Sequence, residues 1–385
     1  MNNFIDFYVL FVAIVSIFFL TLALTNTFWL RICSKKTSIF SGKKVSVCIP
    51  ARNEEKNIER CVRSFMNQTY SNYEVIVLDD NSDDKTASIL ECLKKEFPQK
   101  LKVIKGKSLP AGWTGKVYAL NQLVHESTGE YLLFTDADTV HSDDSVAFAV
   151  TNIEKHNVDL LSGYIGQYTV TFGEKITIPV MYILSGFIIP LFLNRISKTP
   201  ITSVAIGQYI MIKKDVLLAC GGYESLKKYV TEDIYLARLV KSKGFKTLFL
   251  NCRSVAICRM YTNYSDCVCG IEKNIFSFVC NKNGILFLAV FGLVVFLILP
   301  IPLFMASMFY DLIYGIGISN YTLYLGINII SMFFVWVLIS VSQKLSAITP
   351  FLYPLIFCNL VYLALISYSN TARGTGYLWK GRIVH

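Results

Sequence analysis

The sequence predicts an α/β domain with a parallel, doubly wound sheet, joined to membrane-spanning helices on both sides. Apolar, β-branched runs alternate with amphipathic helical stretches in the middle of the chain, as they do in such sheets. Long uncharged stretches flank this region. The mean hydropathy of +0.47, with 53% hydrophobic residues, is too high for a soluble protein and too low for a chain made only of spans.

The N-terminal element is an uncharged stretch over residues 7–30, longer than the roughly 20 residues that cross a bilayer. Only Asp6 precedes it, whereas Lys35 and Lys36 follow it, so the positive-inside rule places the next domain in the cytoplasm. A cleaved signal peptide is the alternative, but the basic n-region of such peptides is missing. We expect residues 1–31 to form the first transmembrane helix of a multi-pass protein of the cell membrane.

Residues 41–261 are expected to form the α/β domain. Its strands are predicted at 45–49, 75–78, 103–104 and 131–134. Helices are predicted over 54–66, from Asp83 towards Phe97, and over 117–124. In the first helix Ile58, Cys61 and Phe65 share one face, and Asn53 is expected to be its N-cap.

The uncharged segment 176–194 contains Pro179 and Pro190. If it crossed the bilayer, the acidic residues before and after it would lie on opposite sides, so we expect an interfacial segment instead. Three spans are predicted over about 285–308, 321–341 and 347–368, within a C-terminal membrane region of 285–369. A basic tail over 370–385 follows, and an odd number of crossings would leave it outside, against the positive-inside rule.

The bulk composition limits the partners. The chain has 385 residues, a net charge of +10 and 11 cysteines. No basic stripe interleaved with aromatic residues is present, so an anionic membrane surface is favoured and nucleic acid is not expected. The cysteines show no zinc-like spacing, which favours apolar fillers in a reducing compartment.

Acidic clusters follow the predicted strands. The first contains Asn53 and Glu54, two and three residues after Ala51, and the second contains Asp79 and Asp80. Residues just past the carboxyl ends of strands line the ligand crevice of an open α/β sheet. A turn with a helix cap would explain either cluster alone, but the two together indicate a ligand site.

The third cluster is the acid pair Asp136 and Asp138, which ends an apolar strand. Two carboxylates at this spacing are suited to Mg²⁺ or Mn²⁺, whose other ligands are commonly water and substrate phosphates. The pair also resembles the nucleophile motif of haloacid-dehalogenase-type phosphatases, which would make Asp136 the nucleophile. That alternative leaves the first two clusters unexplained.

Further charged residues are candidates for the same site. Lys116 follows a Gly-flanked loop at the start of a helix, where it can contact a phosphate. A plain loop with an exposed lysine explains the same pattern equally well. Glu232 and Asp233 open a later helix, where acids also favour the helix dipole. Asp233 could instead be a general base. Arg259 is a possible phosphate contact.

Together these motifs resemble the family 2 glycosyltransferases with a GT-A, Rossmann-like fold, over about residues 44–261. The resemblance implies that Asp79 and Asp80 bind the nucleoside of a nucleotide-sugar, with further contacts at Ala51, Asn53, Glu54, Asp136, Lys116, Gln208 and Arg259. It implies a metal at Asp136 and Asp138, and catalysis by Asp233 with Glu232.

A narrower resemblance is to membrane enzymes that glycosylate carotenoids and hopanoids. It is carried by residues 112–116, 207–209 and 259–261, and by the closing Trp-Lys-Gly-Arg of the tail. The processive synthases carry Gln-x-x-Arg-Trp, which is absent here. The resemblance implies an inverting hexosyltransferase that moves one sugar from a donor, expected to be UDP-linked, to a lipid acceptor. A non-catalytic membrane protein that binds sugar nucleotides or lipids is the alternative from another class.

Overall fold

The computed structural model describes residues 2–33, 42–183, 188–278, 283–372, 377–379 and 382–384. These residues divide into two compact units. The α/β unit comprises Trp29–Tyr168 and Leu191–Met260, and the helical unit comprises Met1–Phe28, Thr169–Pro190 and Tyr261–His385. Lys35, Lys36, Arg373 and Lys380, basic residues next to the predicted spans and in the predicted tail, lie outside the described residues.

The strands are numbered in chain order. They are β1 (Val45–Ala51), β2 (Tyr73–Asp79), β3 (Leu101–Lys105), β4 (Tyr131–Phe134), β5 (Thr139–His141), β6 (Leu160–Tyr164), β7 (Gly166–Gln167), β8 (Ile210–Lys213), β9 (Thr247–Asn251), β10 (Ala256–Cys258), β11 (Tyr377–Trp379) and β12 (Arg382–Val384).

The helices are numbered in the same way. They are α1 (Asn2–Cys33), α2 (Ile58–Ser64), α3 (Thr86–Glu96), α4 (Gly115–Glu126), α5 (Ser145–Lys155), α6 (Phe172–Thr177), α7 (Val180–Tyr182), α8 (Phe192–Ile196), α9 (Lys214–Ala219), α10 (Glu232–Ser242), α11 (Tyr264–Phe278), α12 (Asn283–Leu293), α13 (Pro300–Tyr314), α14 (Asn320–Gln343) and α15 (Tyr353–Ala372). Single turns of 3-10 or π type lie at Pro200–Thr202, Tyr223–Leu226, Val294–Ile298 and Thr349–Leu352.

The main sheet of the α/β unit has the strand order β3-β2-β1-β4-β8-β6-β9. The four predicted strands β1 to β4 are present and pair in parallel. The sheet is not wholly parallel, because β8 runs antiparallel to both β4 and β6. The chain reaches β8 through the long segment after β7 rather than through a single crossover helix, so the direction of this strand is not constrained to be parallel.

Both faces of the sheet are covered, as the doubly wound prediction requires. Alternate residues of each strand point to opposite faces. Val47 and Leu133 pack in a core with residues of α2, α3 and α5. Cys48 and Leu132 pack in a second core with residues of α4, α9 and α10. The parallel pairing of β1 with β2 and β4 places the carboxyl ends of these strands at one edge of the sheet, where the acidic clusters begin.

A second, three-stranded sheet in the order β5-β10-β7 stands beside that edge. Strand β5 starts directly after the acid pair, and it pairs antiparallel with β10, which ends one residue before Arg259. This small sheet therefore brings a part of the chain more than a hundred residues away to the acid pair.

The helical unit and the start of the α/β unit carry four helices that are long and apolar enough to cross a membrane. They are Phe4–Cys33, Asn283–Tyr314, Asn320–Gln343 and Thr349–Asn370. The same four regions are predicted from the uncharged runs of the sequence. The segment 176–194 contains the end of α6, the whole of α7 and the start of α8. It is not among these candidate spans, and its residues 184–187 are outside the described part.

Candidate active site at the carboxyl edge of the sheet

The loops after β1 and β2 are joined to each other. The backbone N–H of Asp80 donates to the Ala51 carbonyl at 2.8 Å. Asn53 has a φ of 52°. Its N–H donates to Ser82 Oγ at 3.0 Å, and its Oδ1 accepts from the Asp83 N–H at 2.8 Å. Asn53 therefore links two loops instead of capping α2, and its predicted N-cap role is wrong because α2 begins further along the chain.

The second acidic cluster is held by its own loop. Asp79 Oδ1 accepts hydrogen bonds from the Ser82 N–H at 3.1 Å and Oγ–H at 2.5 Å. Asp79 and Asp80 are buried, at 7% and 6% exposure. Arg52 Nη1 donates to the backbone carbonyls of Asp80 at 2.6 Å and Asn81 at 2.8 Å. The guanidinium of Arg52 thus fixes the course of the turn that carries both carboxylates.

The acid pair lies beside the first cluster. Asp138 is hydrogen-bonded by the Cys258 thiol. Burial raises the pKa of that thiol, and the negative charges of Asp138, Asp136 and Glu54 raise it further. Three carboxylates from two distant parts of the sequence therefore act on one sulfur atom, which places Glu54 near the acid pair.

Arg259 reaches this neighbourhood through strand pairing. In the β5–β10 ladder Cys258 pairs with Thr139. Arg259 and Asp138 are the next residues beyond this last pair, so the ladder brings their backbones close together. The sequence alone does not show that the strands next to these two positions pair with each other.

Lys116 joins the acid pair to the last acidic cluster. Its Nζ lies 2.8 Å from Asp136 Oδ1 and 3.0 Å from Glu232 Oε1. Burial alone would lower the pKa of the ammonium group, but the charges of Asp136 and Glu232 outweigh it and hold the pKa well above its ordinary value. Lys116 is therefore a permanent cation between two carboxylates.

Asp233 lies next to this ion pair at the start of α10. Its Oδ2 accepts from the Gly207 N–H at 2.8 Å, and its Oδ1 accepts from the Ile234 N–H at 2.8 Å. Burial raises the pKa of Asp233 to about 6, the charge of Glu232 adds to the rise, and Lys116 and the two N–H groups oppose it. Such a carboxylate is ionised at neutral pH but holds a proton more strongly than an ordinary aspartate.

A small cavity of about 10 Å³ lies against this cluster. It is lined by Asp136, Lys116 and Glu232 together with Gly207 and Tyr223. This volume is at the lower limit that can hold one water molecule. Asp136, Lys116 and Glu232 therefore share the wall of one small cavity.

Gln208, which is predicted to contact the nucleotide-sugar, is almost fully buried. The residue is 4% exposed. Its Oε1 accepts from Gln167 Nε2 at 2.8 Å, and its backbone carbonyl accepts from Thr135 Oγ1 at 2.9 Å. These contacts tie β7 and the end of β4 together, and the predicted role in substrate binding stays a prediction.

Asp136 and Asp138 suit a metal ion that takes its remaining ligands from a substrate and from water. Within the described residues, no three His, Cys, Asp or Glu side chains form a ready-made metal cluster. Asp136 and Asp138 supply two oxygen-bearing groups, of which Asp136 is also paired with Lys116. Mg²⁺ and Mn²⁺ accept one or two carboxylates when phosphates and water complete the shell, so this donor set suits an ion bound with a diphosphate.

Three residues of the site were not predicted as site residues from the sequence. They are Arg52, Gly207 and Cys258. Arg52 stands inside the first acidic motif, and Gly207 belongs to the motif 207–209, so both had a signal in the sequence. Cys258 had none, because its contact with Asp138 depends on the pairing of β5 with β10.

Comparison with known proteins agrees with this geometry. Residues 46–220 match the model of the family described as glycosyl transferase family 2. Residues 46–220, a little under half of the chain, are therefore similar to a family 2 glycosyltransferase domain. This domain includes Asp136 and Asp138, so the phosphatase alternative is set aside.

Two curated relatives act on lipids according to their names. The chain is 39% identical over 116 residues to the beta-monoglucosyldiacylglycerol synthase of Trichormus variabilis, covering 30% of this chain and 24% of the relative. It is 26% identical over 215 residues to the 4,4'-diaponeurosporenoate glycosyltransferase of Staphylococcus haemolyticus, covering 55% of this chain and 56% of the relative. The matched part of this chain thus spans about a quarter and just over half of these two relatives.

A solved structure confirms the predicted fold. The mannosyltransferase of Pyrobaculum calidifontis, solved with GDP-Man and Mn²⁺, matches over 94% of this chain and 99% of its own, with 16% identity and a TM-score of 0.55. The likeness shows a shared mixed α/β, GT-A architecture.

Proposed function

We propose that this protein is a membrane-bound, inverting glycosyltransferase. It moves one sugar from a nucleotide-diphosphate sugar, UDP-linked in this proposal, to a lipid acceptor of the isoprenoid or carotenoid type. The observation that carries the proposal is the charged cluster in which Lys116 bridges Asp136 and Glu232, with Asp233 beside them. These residues come from three parts of the chain and meet at the edge of the sheet where ligands bind.

The donor lies across the linked loops in this proposal. Asp79 and Asp80, with Ala51, Asn53 and Glu54 in the adjoining loop, contact the nucleoside. The diphosphate lies between Lys116 and Arg259, whose positive charges favour it electrostatically. Asp138, with Asp136, would hold Mg²⁺ or Mn²⁺, and the bound ion would neutralise the negative charge that develops on the leaving diphosphate.

Asp233 is the general base of the proposed reaction. Its carboxylate takes the proton from the acceptor hydroxyl while the acceptor oxygen bonds to the anomeric carbon and the bond from that carbon to the diphosphate breaks. The attack is from the opposite face, so the configuration inverts. A pKa of about 6 suits the role, because the carboxylate is ionised at neutral pH and still accepts a proton readily. An acceptor that is itself a carboxylic acid would depend less on this base.

The lipid acceptor is supported by the four apolar helices and by the names of the two relatives. Helices of this kind keep the domain close to lipids that do not leave the bilayer. We place the α/β unit on the cytoplasmic side of the cell membrane, where sugar nucleotides are made.

Reconstituted full-length protein provides the test. Vesicles that contain a polyprenol, a carotenoid acid or diacylglycerol are supplied with UDP-glucose, UDP-N-acetylglucosamine or GDP-mannose and a divalent ion. Release of the nucleoside diphosphate (UDP or, from GDP-mannose, GDP) that depends on the lipid, with a product one sugar heavier by mass spectrometry, is the expected result. Tight donor binding without lipid-dependent release in every combination would favour the non-catalytic alternative. Asp215→Asn, at the start of α9 on the surface, is the matched control for Asp233→Asn.

A further inference from the structure

A buried histidine lies directly behind the acid pair. His141 ends β5, is 5% exposed, and its ring lies between those of Phe65 and Tyr209, at centroid distances of 4.2 and 5.9 Å. Its Nε2 is 3.0 Å from Thr135 Oγ1 and 2.9 Å from Thr139 Oγ1. Thr135 directly precedes the acid pair and Thr139 directly follows it, so one nitrogen atom touches both ends of the acidic turn.

The direction of these hydrogen bonds follows from counting protons. A threonine hydroxyl has one hydrogen to donate, and a backbone carbonyl can only accept. Thr135 Oγ1 donates to the Gln208 carbonyl at 2.9 Å, and Thr139 Oγ1 donates to the Asp136 carbonyl at 2.7 Å. The two hydroxyl oxygens also lie 2.9 Å from each other. In the arrangement in which both hydroxyl hydrogens go to the backbone carbonyls, the imidazole supplies the hydrogen at Nε2.

The other ring nitrogen completes the assignment. Nδ1 lies 3.0 Å from Ser145 Oγ. Tyr209 donates its own hydroxyl hydrogen to the Ser145 carbonyl at 2.7 Å. The Ser145 hydroxyl has two acceptors within reach, Nδ1 at 3.0 Å and the Tyr209 hydroxyl oxygen at 3.4 Å, and Nδ1 is the nearer. The ring is thus neutral with its hydrogen on Nε2, and burial, which lowers the pKa of His141 to about 3, favours the same uncharged form.

We propose that His141 is a positioning residue whose Nε2–H, shared between Thr135 and Thr139, holds the acidic turn closed and so keeps Asp136 and Asp138 aimed at the donor site. The Thr139 hydroxyl in turn donates to the Asp136 carbonyl, and the Thr135 hydroxyl donates to the carbonyl of Gln208, the residue after Gly207. The imidazole is therefore linked through the two threonines to the backbone on both sides of the charged cluster. This inference rests on the proposed function for its effect on catalysis, but not for its hydrogen bonds.

Three variants separate the hydrogen bond from packing. His141→Phe keeps an aromatic ring and loses the N–H. His141→Gln can place an amide N–H close to the Nε2 position, whereas His141→Asn places its amide near Nδ1, on the Ser145 side. We expect the Phe and Asn variants to weaken Mn²⁺ binding in the presence of UDP and the value of kcat/KM by about 10- to 100-fold, as loss of a group that supports a ligand typically does, and the Gln variant to recover most of the loss.

Two readouts make the outcome decisive. Mn²⁺ bound by the full-length protein with UDP is measured by electron paramagnetic resonance, and ¹⁵N spectra of histidine-labelled protein, assigned with the His141→Gln variant, report which ring nitrogen carries the hydrogen. An Nδ1–H form of His141, or a folded Phe variant that binds Mn²⁺ as the unaltered protein does, would overturn the proposal. Failure of the proposed function would instead appear as absent transfer by the unaltered protein with the Nε2–H form intact.

Discussion

The backbone N–H of Gly207 donates a 2.8 Å hydrogen bond to Asp233 Oδ2, across a gap of 26 residues in the sequence. A Cβ atom at position 207 would lie 3.1 Å from Lys116 Nζ and 3.5 Å from Asp233 Oδ2. Glycine at this position therefore lets the backbone approach the two charged groups on which the proposed reaction depends.

Gly207→Ala is expected to reduce kcat without unfolding the protein. The added methyl group meets the flexible end of Lys116, which can shift by a few tenths of an ångström, but the shift weakens its contacts with Asp136 and Glu232. We expect a loss of about 10-fold, since small misplacements of catalytic groups are costly. Steady-state kinetics of the reconstituted protein measures it. Gly284→Ala, where the added atom meets nothing within 4 Å, is the control, and equal rates for both variants would contradict the expectation.

The rate of sugar transfer to an alcohol acceptor should rise with pH through about 6. The pKa of Asp233 is raised above its ordinary value, so the active, deprotonated form is lost below about pH 6 rather than below pH 4. The pH profile of kcat/KM measures this directly. Asp233→Asn should lose about 10²- to 10⁴-fold in kcat, while donor binding is kept. If the residual rate of Asp233→Asn still fell as the pH is lowered through about 6, the pH dependence would belong to another group.

Lys116→Met should both weaken donor binding and move the acid limb of the pH profile. The variant leaves Asp136 and Glu232 without the cation between them, and removes the positive charge that opposes the rise in the pKa of Asp233. We expect a higher KM for the donor and an acid limb shifted to higher pH. Lys94→Met, on the exposed side of α3, is the control. A limb that stays in place would show that Lys116 and Asp233 are not electrostatically coupled.

Removal of divalent metal should abolish transfer, and Asp138→Asn should raise the metal concentration needed for half-maximal activity by about 10-fold or more. Asp136 shares its carboxylate with Lys116, so Asp138 is expected to make the direct contact. Titration of Mn²⁺ into chelator-treated protein with UDP tests this without relying on turnover. Asp143→Asn, an exposed acid five residues further along the chain, should behave like the unaltered protein. Full activity in excess chelator would refute the metal requirement.

Local patterns were sufficient for much of the fold. The strands at 45–49, 75–78, 103–104 and 131–134 are recognisable because each is a short apolar run bounded by polar residues. The four long apolar helices are equally visible, since their length and lack of charge are properties of contiguous residues. Strands β6, β8 and β9, and the antiparallel direction of β8, were not predicted, because the pairing of strands depends on contacts between distant segments.

Asn53 shows where a local rule fails. Asparagine before a helical pattern usually indicates an N-cap, but here its side chain accepts from the Asp83 N–H in the neighbouring loop. The competing partner comes from a loop thirty residues away, which a helix-capping rule cannot include.

The sequence by itself determined which chemical groups are available and at which strand ends they stand, because residue types and strand patterns are local properties. Only the tertiary structure decided which groups meet: Lys116 with Asp136 and Glu232, Cys258 with Asp138, and the His141 imidazole with both threonines of the acidic turn. Such contacts depend on the order of strands in the sheets and on burial. These set the distances between charges and the local dielectric, and through them the pKa of Asp233.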